Sequence, residues 1–114
     1  QWTTGKCCDP LGPIGPWLVT ADEIADPQKL DMSLDVNGKR MQTGNSSTMI
    51  FSVAECISHL SQLMTLQPGD VISTGTPPGV GMGIKPEPVY LREGDVMDVW
   101  IDGLGKQRQH VGQD

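Results

Sequence analysis

The chain has 114 residues, with fourteen acidic and eight basic side chains and a formal net charge of −6. That length fits one domain or part of one, with room for a modest core. The acidic balance, with no five-residue run of Lys and Arg, argues against nucleic-acid binding, which needs a concentrated basic face; the longest apolar stretch is too short to span a membrane as a helix.

The opening residues Gln1-Trp2-Thr3-Thr4-Gly5 carry no secretory signal and read like the interior of a sequence, so a chain starting in mid-domain is expected. Residues 1–16 hold three prolines and three glycines, which predicts loop with a short extended start. Trp17-Leu18-Val19-Thr20 predicts a short buried strand, and 21–28 a polar turn with one helical turn at Ala21-Asp22-Glu23. Met32, Leu34 and Val36 alternate with Asp31, Ser33 and Asp35, the period of a strand with one face inward. Asn37-Gly38 follows as a two-residue hairpin turn, with Lys39 to Thr43 as the returning strand.

Ser52-Val53-Ala54-Glu55 has the form of a capping box. Val53, Cys56, Ile57, Leu60, Leu63 and Met64 then recur at helical spacing, with His59 and Gln62 on the other face. Gln67-Pro68-Gly69-Asp70 ends this helix. Val71-Ile72-Ser73 predicts a strand that runs into Ser73–Gly83, where four glycines and two prolines fall within eleven residues. Val96 to Ile101 predicts a strand, Asp102-Gly103-Leu104-Gly105 a turn, and Gln107 to Val111 its hairpin partner. The sum is a mainly β chain with one principal helix. Only five aromatic residues are present, so the core is expected to lean on Leu, Ile, Val and Met.

Three cysteines do not make a complete disulfide framework. Cys7 and Cys8 are neighbours, and a bridge between them would strain the peptide that joins them. Cys56 reads as a small buried hydrophobe on the helix face. A reducing, cytoplasmic compartment fits this pattern. His59 and His110 stand apart from any second ligand at metal-binding spacing and read as surface residues. The glycine loop is not a P-loop, having no Lys-Ser/Thr after it, and is not a dinucleotide fingerprint, since Lys85-Pro86-Glu87-Pro88 does not open a long helix.

Two features of the loop and one near the start have chemical potential. Thr74 and Thr76 carry hydroxyls able to donate to a carboxylate or carbonyl oxygen, and Gly75 between them allows close approach of backbone to ligand. Taken alone, such a cluster reads as a structural turn. Lys6 is a cation beside a Pro- and Gly-rich stretch, placed where it can stabilise developing negative charge, although a lone lysine also reads as an exposed surface group. Asn45 reads first as a cap or turn before Met49-Ile50-Phe51.

Together the pieces resemble one family. Gly5-Lys6, Pro13-Ile14-Gly15-Pro16-Trp17-Leu18-Val19-Thr20, Asp22-Glu23-Ile24, Val36-Asn37-Gly38, Gln42, Asn45 and Met49-Ile50-Phe51 come first. Leu66, Pro68-Gly69-Asp70-Val71-Ile72, Thr74-Gly75-Thr76-Pro77, Gly79-Val80-Gly81, Gly94-Asp95 and Gly103-Leu104-Gly105 follow. In this order and spacing they resemble the fumarylacetoacetate hydrolase family across residues 5–105. The resemblance implies a mixed β-sandwich roll, incomplete here, with 1–114 forming the C-terminal part of a catalytic domain. It implies a divalent ion, Mg²⁺ or Mn²⁺ with Ca²⁺ possible, and a diketo or 2-oxo acid substrate. The ion takes up charge as an enolate develops and a carbon–carbon bond is hydrolysed. Isomerisation or decarboxylation of oxo acids are the alternatives within the family. Lys6 matches the family lysine beside the metal, and Thr76, with Gly75, matches the substrate-contacting Thr-Gly-Thr loop. A homodimer, or pairing with another chain, is implied as well.

The chain also departs from the family pattern. Cys7-Cys8-Asp9-Pro10 stands where Ser-Phe-Asp-Thr is usual, and Ser46 stands where Thr is common. The family's acidic metal ligands, a Glu-x-Glu pair and a later Asp, lie upstream of the Gly-Lys motif. By this resemblance no metal ligand is expected in the chain, which alone should hold no ion tightly and be inactive. The loop around Met82-Gly83-Ile84-Lys85-Pro86 and the ending Gly105–Gln109 look like the sugar-acid branch, whose members are named for 2,4-dioxo-3-deoxy sugar acids or as ureidoglycolate lyases. A non-catalytic, truncated binding or stabilising partner is the alternative reading.

Overall fold

Alternation of apolar and polar residues decides the architecture. In the computed structural model, which describes residue 5 and residues 11–112, four strands form one antiparallel sheet: β1 (Asp31–Val36), β2 (Lys39–Asn45), β3 (Val96–Ile101) and β4 (Gly105–His110). Their order is β2-β1-β3-β4. β1 pairs Leu34 with Val99 of β3 and, on its other edge, with Gln42 of β2. Met32, Leu34, Val36, Met97, Val99 and Ile101 therefore share one face. Asp35, Arg40, Asp98, Lys106 and Arg108 share the other, where Asp35 pairs with Arg40 and Asp98 with both Lys106 and Arg108.

The β1–β2 hairpin turns at Asn37 (φ 50°) and Gly38 (φ 76°), the left-handed pair that matches strand twist. Asn37 also ties the turn to the start of β3. Its amide donates to Asp95 Oδ1 at 2.8 Å, and its carbonyl oxygen accepts from the Val96 N–H at 2.9 Å. A bulge interrupts β2: Leu34 faces Gln42 but Asp35 faces Arg40, which leaves Met41 as the extra residue.

The long connection from β2 to β3 carries α1 (Val53–Leu63). Its capping box forms as the sequence predicts. Ser52 accepts from the Glu55 N–H, and Glu55 accepts from the Ser52 N–H. Short 3-10 turns at Pro27–Lys29, Ser46–Thr48 and Gly81–Gly83 lie outside what periodicity predicts. Gln28 joins two of these regions, donating to the Ser46 carbonyl at 3.1 Å and accepting from the Val53 N–H at 2.6 Å. Ser46 is itself buried, accepting from the Leu30 N–H and donating to the Pro27 carbonyl.

A mainly β chain with one principal helix is what the structure has, and β3 spans the predicted Val96–Ile101. Other expectations need correction. Trp17–Thr20 is not a buried strand: Leu18 is 93% exposed, Trp17 is exposed, and the segment joins no ladder. It crosses the apolar face instead, where Gln107 donates to the Gly15 carbonyl and the Trp17 ring lies over Gly105. Residues 21–23 form a hydrogen-bonded turn, closed by the Glu23 N–H on the Thr20 carbonyl at 3.0 Å. Val71-Ile72-Ser73 is not a strand either, because no neighbouring strand offers it a ladder. The expected Leu, Ile, Val and Met core is not closed, since no described hydrophobic residue is fully buried. Cys56, expected buried, is half-buried, and the apolar stripe of α1 is open at Ile57, Leu63 and Met64. His59 and His110 are exposed, as expected. No described helix is long and apolar enough to cross a membrane.

The ion pairs on the polar face give a pH signature. The Arg108 guanidinium, with a smaller contribution from Lys106, holds the Asp98 carboxyl below its usual range. A carboxylate depressed in the folded state stabilises above its unfolded pKa of about 3.9, and that stabilisation is lost as pH falls through the folded value. Urea unfolding of the wild type and Asp98→Asn should therefore show a stability gap that is constant above about pH 5 and closes in acid. A gap independent of pH would remove the charge of Asp98 as its source.

Candidate functional site

The chain folds the glycine loop back over β2, and small residues make that approach possible. A Cβ at Gly44 would lie 2.5 Å from Pro77 Cβ, and one at Gly79 would collide with the Met41 carbonyl oxygen. Gly79 also has φ +109°, a conformation that L side chains rarely adopt. The close approach thus falls at the bulged residue of β2.

One side chain then fastens the loop. Gln42, 8% exposed, places its amide nitrogen 2.8 Å from Thr76 Oγ1 and 2.7 Å from the Pro77 carbonyl oxygen. Buried polar groups of this kind are costly unless paired, and both amide hydrogens find acceptors here. Among the described residues Gln42 and Ser46 are the buried polar side chains, and both serve the same region of the molecule.

The fastened loop forms one wall of a cleft of about 740 Å³. Thr74, Gly75, Thr76 and Pro77 line it on that side. The rest of the lining includes Asn45 at the end of β2, Met49 and Phe51 of the segment that follows, and Cys56 of α1. Asn45 sets the direction of that segment. Its carbonyl oxygen accepts from the Ser47 N–H at 2.9 Å and its amide donates to Asp31 Oδ1 at 2.7 Å, which makes it the cap expected from the sequence. None of the described residues that line it is charged. The cleft therefore offers hydroxyls, an amide and apolar surface, a donor set suited to orienting a small oxygen-rich ligand rather than neutralising it.

Among the described residues no group of three His, Cys, Asp or Glu side chains comes together to hold a metal ion. A hard divalent cation needs several oxygen ligands, and the described residues do not fit as its cage. Of the residues singled out from sequence, Thr76 and Gly75 lie together on the cleft wall, Gly75 with φ +99°. Lys6 lies outside the described residues, as do Cys7 and Cys8. Sequence reasoning quoted Gln42 but gave it no role. The signal was present as a polar residue at a strand position opposite Leu34, on the apolar face.

Comparison with known proteins places the fold and the family. The family model described as Fumarylacetoacetate (FAA) hydrolase C-terminal matches residues 1–112. The 2,4-didehydro-3-deoxy-L-rhamnonate hydrolase of Sphingomonas sp. is 60% identical over 113 residues, covering 99% of this chain and 40% of that protein. The solved fumarylacetoacetate hydrolase of psychrophilic Exiguobacterium antarcticum superposes with a TM-score of 0.85 at 45% identity, over 90% of this chain and 36% of its own. Maleylpyruvate hydrolase from Sphingobium sp. SYK-6, solved with manganese(II) and pyruvate, gives 0.77 at 43% identity over 89% and 36%. The chain spans about two fifths of the length of the curated relatives it matches (39% of the first of them).

The close approach at Gly79 can be tested directly. Gly79→Ala must displace the loop from Met41 or strain its backbone, so it should lower the stability of the protein by about 2 kcal/mol. Urea denaturation measures this, and a wild-type midpoint would mean that the loop does not sit against β2.

Proposed function

The chain belongs to the fumarylacetoacetate hydrolase family, and on that premise we propose that it is the C-terminal part of the catalytic domain of a divalent-metal-dependent hydrolase acting on a diketo or 2-oxo acid. The observation that carries this reading is the Thr74-Gly75-Thr76 loop fastened on the wall of the cleft. Support comes from the similar maleylpyruvate hydrolase that holds manganese(II) and pyruvate, and from the similar 2,4-didehydro-3-deoxy-L-rhamnonate hydrolase. A diketo sugar acid is accordingly the substrate class we favour.

In this reading Thr76 donates its hydroxyl proton to a carboxylate or carbonyl oxygen of the substrate and so fixes its orientation. Lys6 stabilises the negative charge that develops on a substrate oxygen as the bond between two carbonyl-bearing segments breaks. Isomerisation or decarboxylation develops charge at the same kind of oxygen, and these are the alternatives within the family. Because the described residues offer no metal cage, the ligands for Mn²⁺ or Mg²⁺ are assigned to other parts of the full-length protein. The exposed apolar residues, among them Leu18, Ile50 and Phe51, support burial against further protein, either the remainder of the same chain or a second copy. We place the protein in the cytoplasm.

Two substitutions in the full-length protein separate the roles. Thr76→Val keeps shape and deletes a donor, so it should raise KM about tenfold with a small change in kcat. Steady-state kinetics with a wild-type KM would remove Thr76 from the site. Lys6→Ala should lower kcat at least a hundredfold while leaving the melting midpoint nearly unchanged. Unchanged turnover would remove Lys6 from the chemistry.

A further inference from the structure

We infer that Gln42 is a positioning residue that fixes the hydrogen-bond polarity of Thr76, leaving the Thr76 hydroxyl proton for an acceptor atom of the ligand. The inference deepens the proposed function and rests on its reading of Thr76 as a ligand contact.

The argument follows from which atoms have protons to give. The Gln42 amide group lies 2.7 Å from the Pro77 carbonyl oxygen. That oxygen is an acceptor only, so the atom facing it must be the amide nitrogen, and this fixes which way the amide points. The nitrogen carries two hydrogens and no lone pair for bonding. Its second hydrogen meets Thr76 Oγ1 at 2.8 Å, where the hydroxyl must accept. A hydroxyl that accepts on one side still has its own proton to place. Within the loop that proton reaches the Pro77 carbonyl oxygen, whose second lone pair can take it, but only over a long 3.4 Å contact. A ligand oxygen at ordinary hydrogen-bond distance is the better acceptor and takes the Thr76 proton in its place.

Gln42 does not line the cleft, whereas Thr76 does, so any effect of Gln42 on a ligand passes through the loop. Its burial makes the arrangement stiff, since a buried amide that let go of either acceptor would be left unpaired. An unconstrained threonine hydroxyl rotates between donating and accepting. Here the Gln42 amide occupies one of its two acceptor positions and holds the rotor, so its single proton is presented to ligands that bring a carboxylate or carbonyl oxygen to this point.

The test is a double-mutant cycle in the full-length protein, read on the affinity for pyruvate by calorimetric titration. Gln42→Met, similar in size and without a donor, should weaken pyruvate about tenfold, and Thr76→Val should do the same. The double variant should bind no more weakly than Thr76→Val alone. Losses that multiply to about a hundredfold would show that Gln42 acts independently of Thr76 and would overturn the inference. Wild-type affinity in Gln42→Met beside a weakened Thr76→Val would also overturn it, and would leave the proposed function standing. Wild-type affinity in Thr76→Val would overturn the inference and, with it, the reading of Thr76 as a ligand contact. Should Gln42→Met fail to fold, Gln42→Glu enters the same cycle: a carboxyl has at most one proton to give and cannot donate to both Pro77 and Thr76, so it should weaken pyruvate about tenfold, and unchanged affinity would overturn the inference. Loss of packing at position 42 lowers stability but does not make its binding effect vanish when Thr76 is absent.

Discussion

The hydrogen bonds from one buried amide to Thr76 and Pro77 organise this chain's candidate site. Gln42 stands on the apolar face of an edge strand, where a hydrocarbon side chain would ordinarily be expected. An amide there is tolerable because two acceptors from the glycine loop come to meet it. The loop comes that close because Gly44 and Gly79 leave room for Pro77 and for the Met41 carbonyl. Without those small residues the amide would be stranded, and without the amide the loop would lose the polar contacts that hold it to β2.

The sheet separates two kinds of surface. Its charged face is self-compensating, with Asp35 on Arg40 and Asp98 between Lys106 and Arg108. Such exposed pairs contribute little each to stability, and they keep that face in water. The apolar face is crossed by residues 14–19 near β4 and by the glycine loop near β2. The loop's hydroxyls are thus carried on the side away from the ion pairs, next to a cleft whose described lining is uncharged.

Local chemistry was legible residue by residue. Asn37-Gly38 determined the hairpin because only residues at ease with positive φ make that turn. Ser52 and Glu55 determined where α1 begins, since each satisfies the other's backbone N–H. The strict alternation of 31–36 determined which face of β1 is apolar. Thr76 and Gly75 could be picked out because their motif and spacing resemble a known family. Where sequence misled, it did so over Trp17–Thr20 and Val71–Ser73. Both are apolar runs of strand-like composition, but a strand exists only where a partner offers a ladder, and composition does not supply one.

By itself, then, the sequence determined the turns, the helix cap, the amphipathic strands and the family, because each depends on residues adjacent or regularly spaced along the chain. Only the tertiary structure decided that β2 lies at the sheet edge, that the loop after residue 73 folds onto it, and that Gln42 reaches Thr76 across thirty-four positions of sequence. The physical reason is that a buried amide takes its partners from whatever atoms packing brings within about 3 Å, and no local pattern encodes that distance.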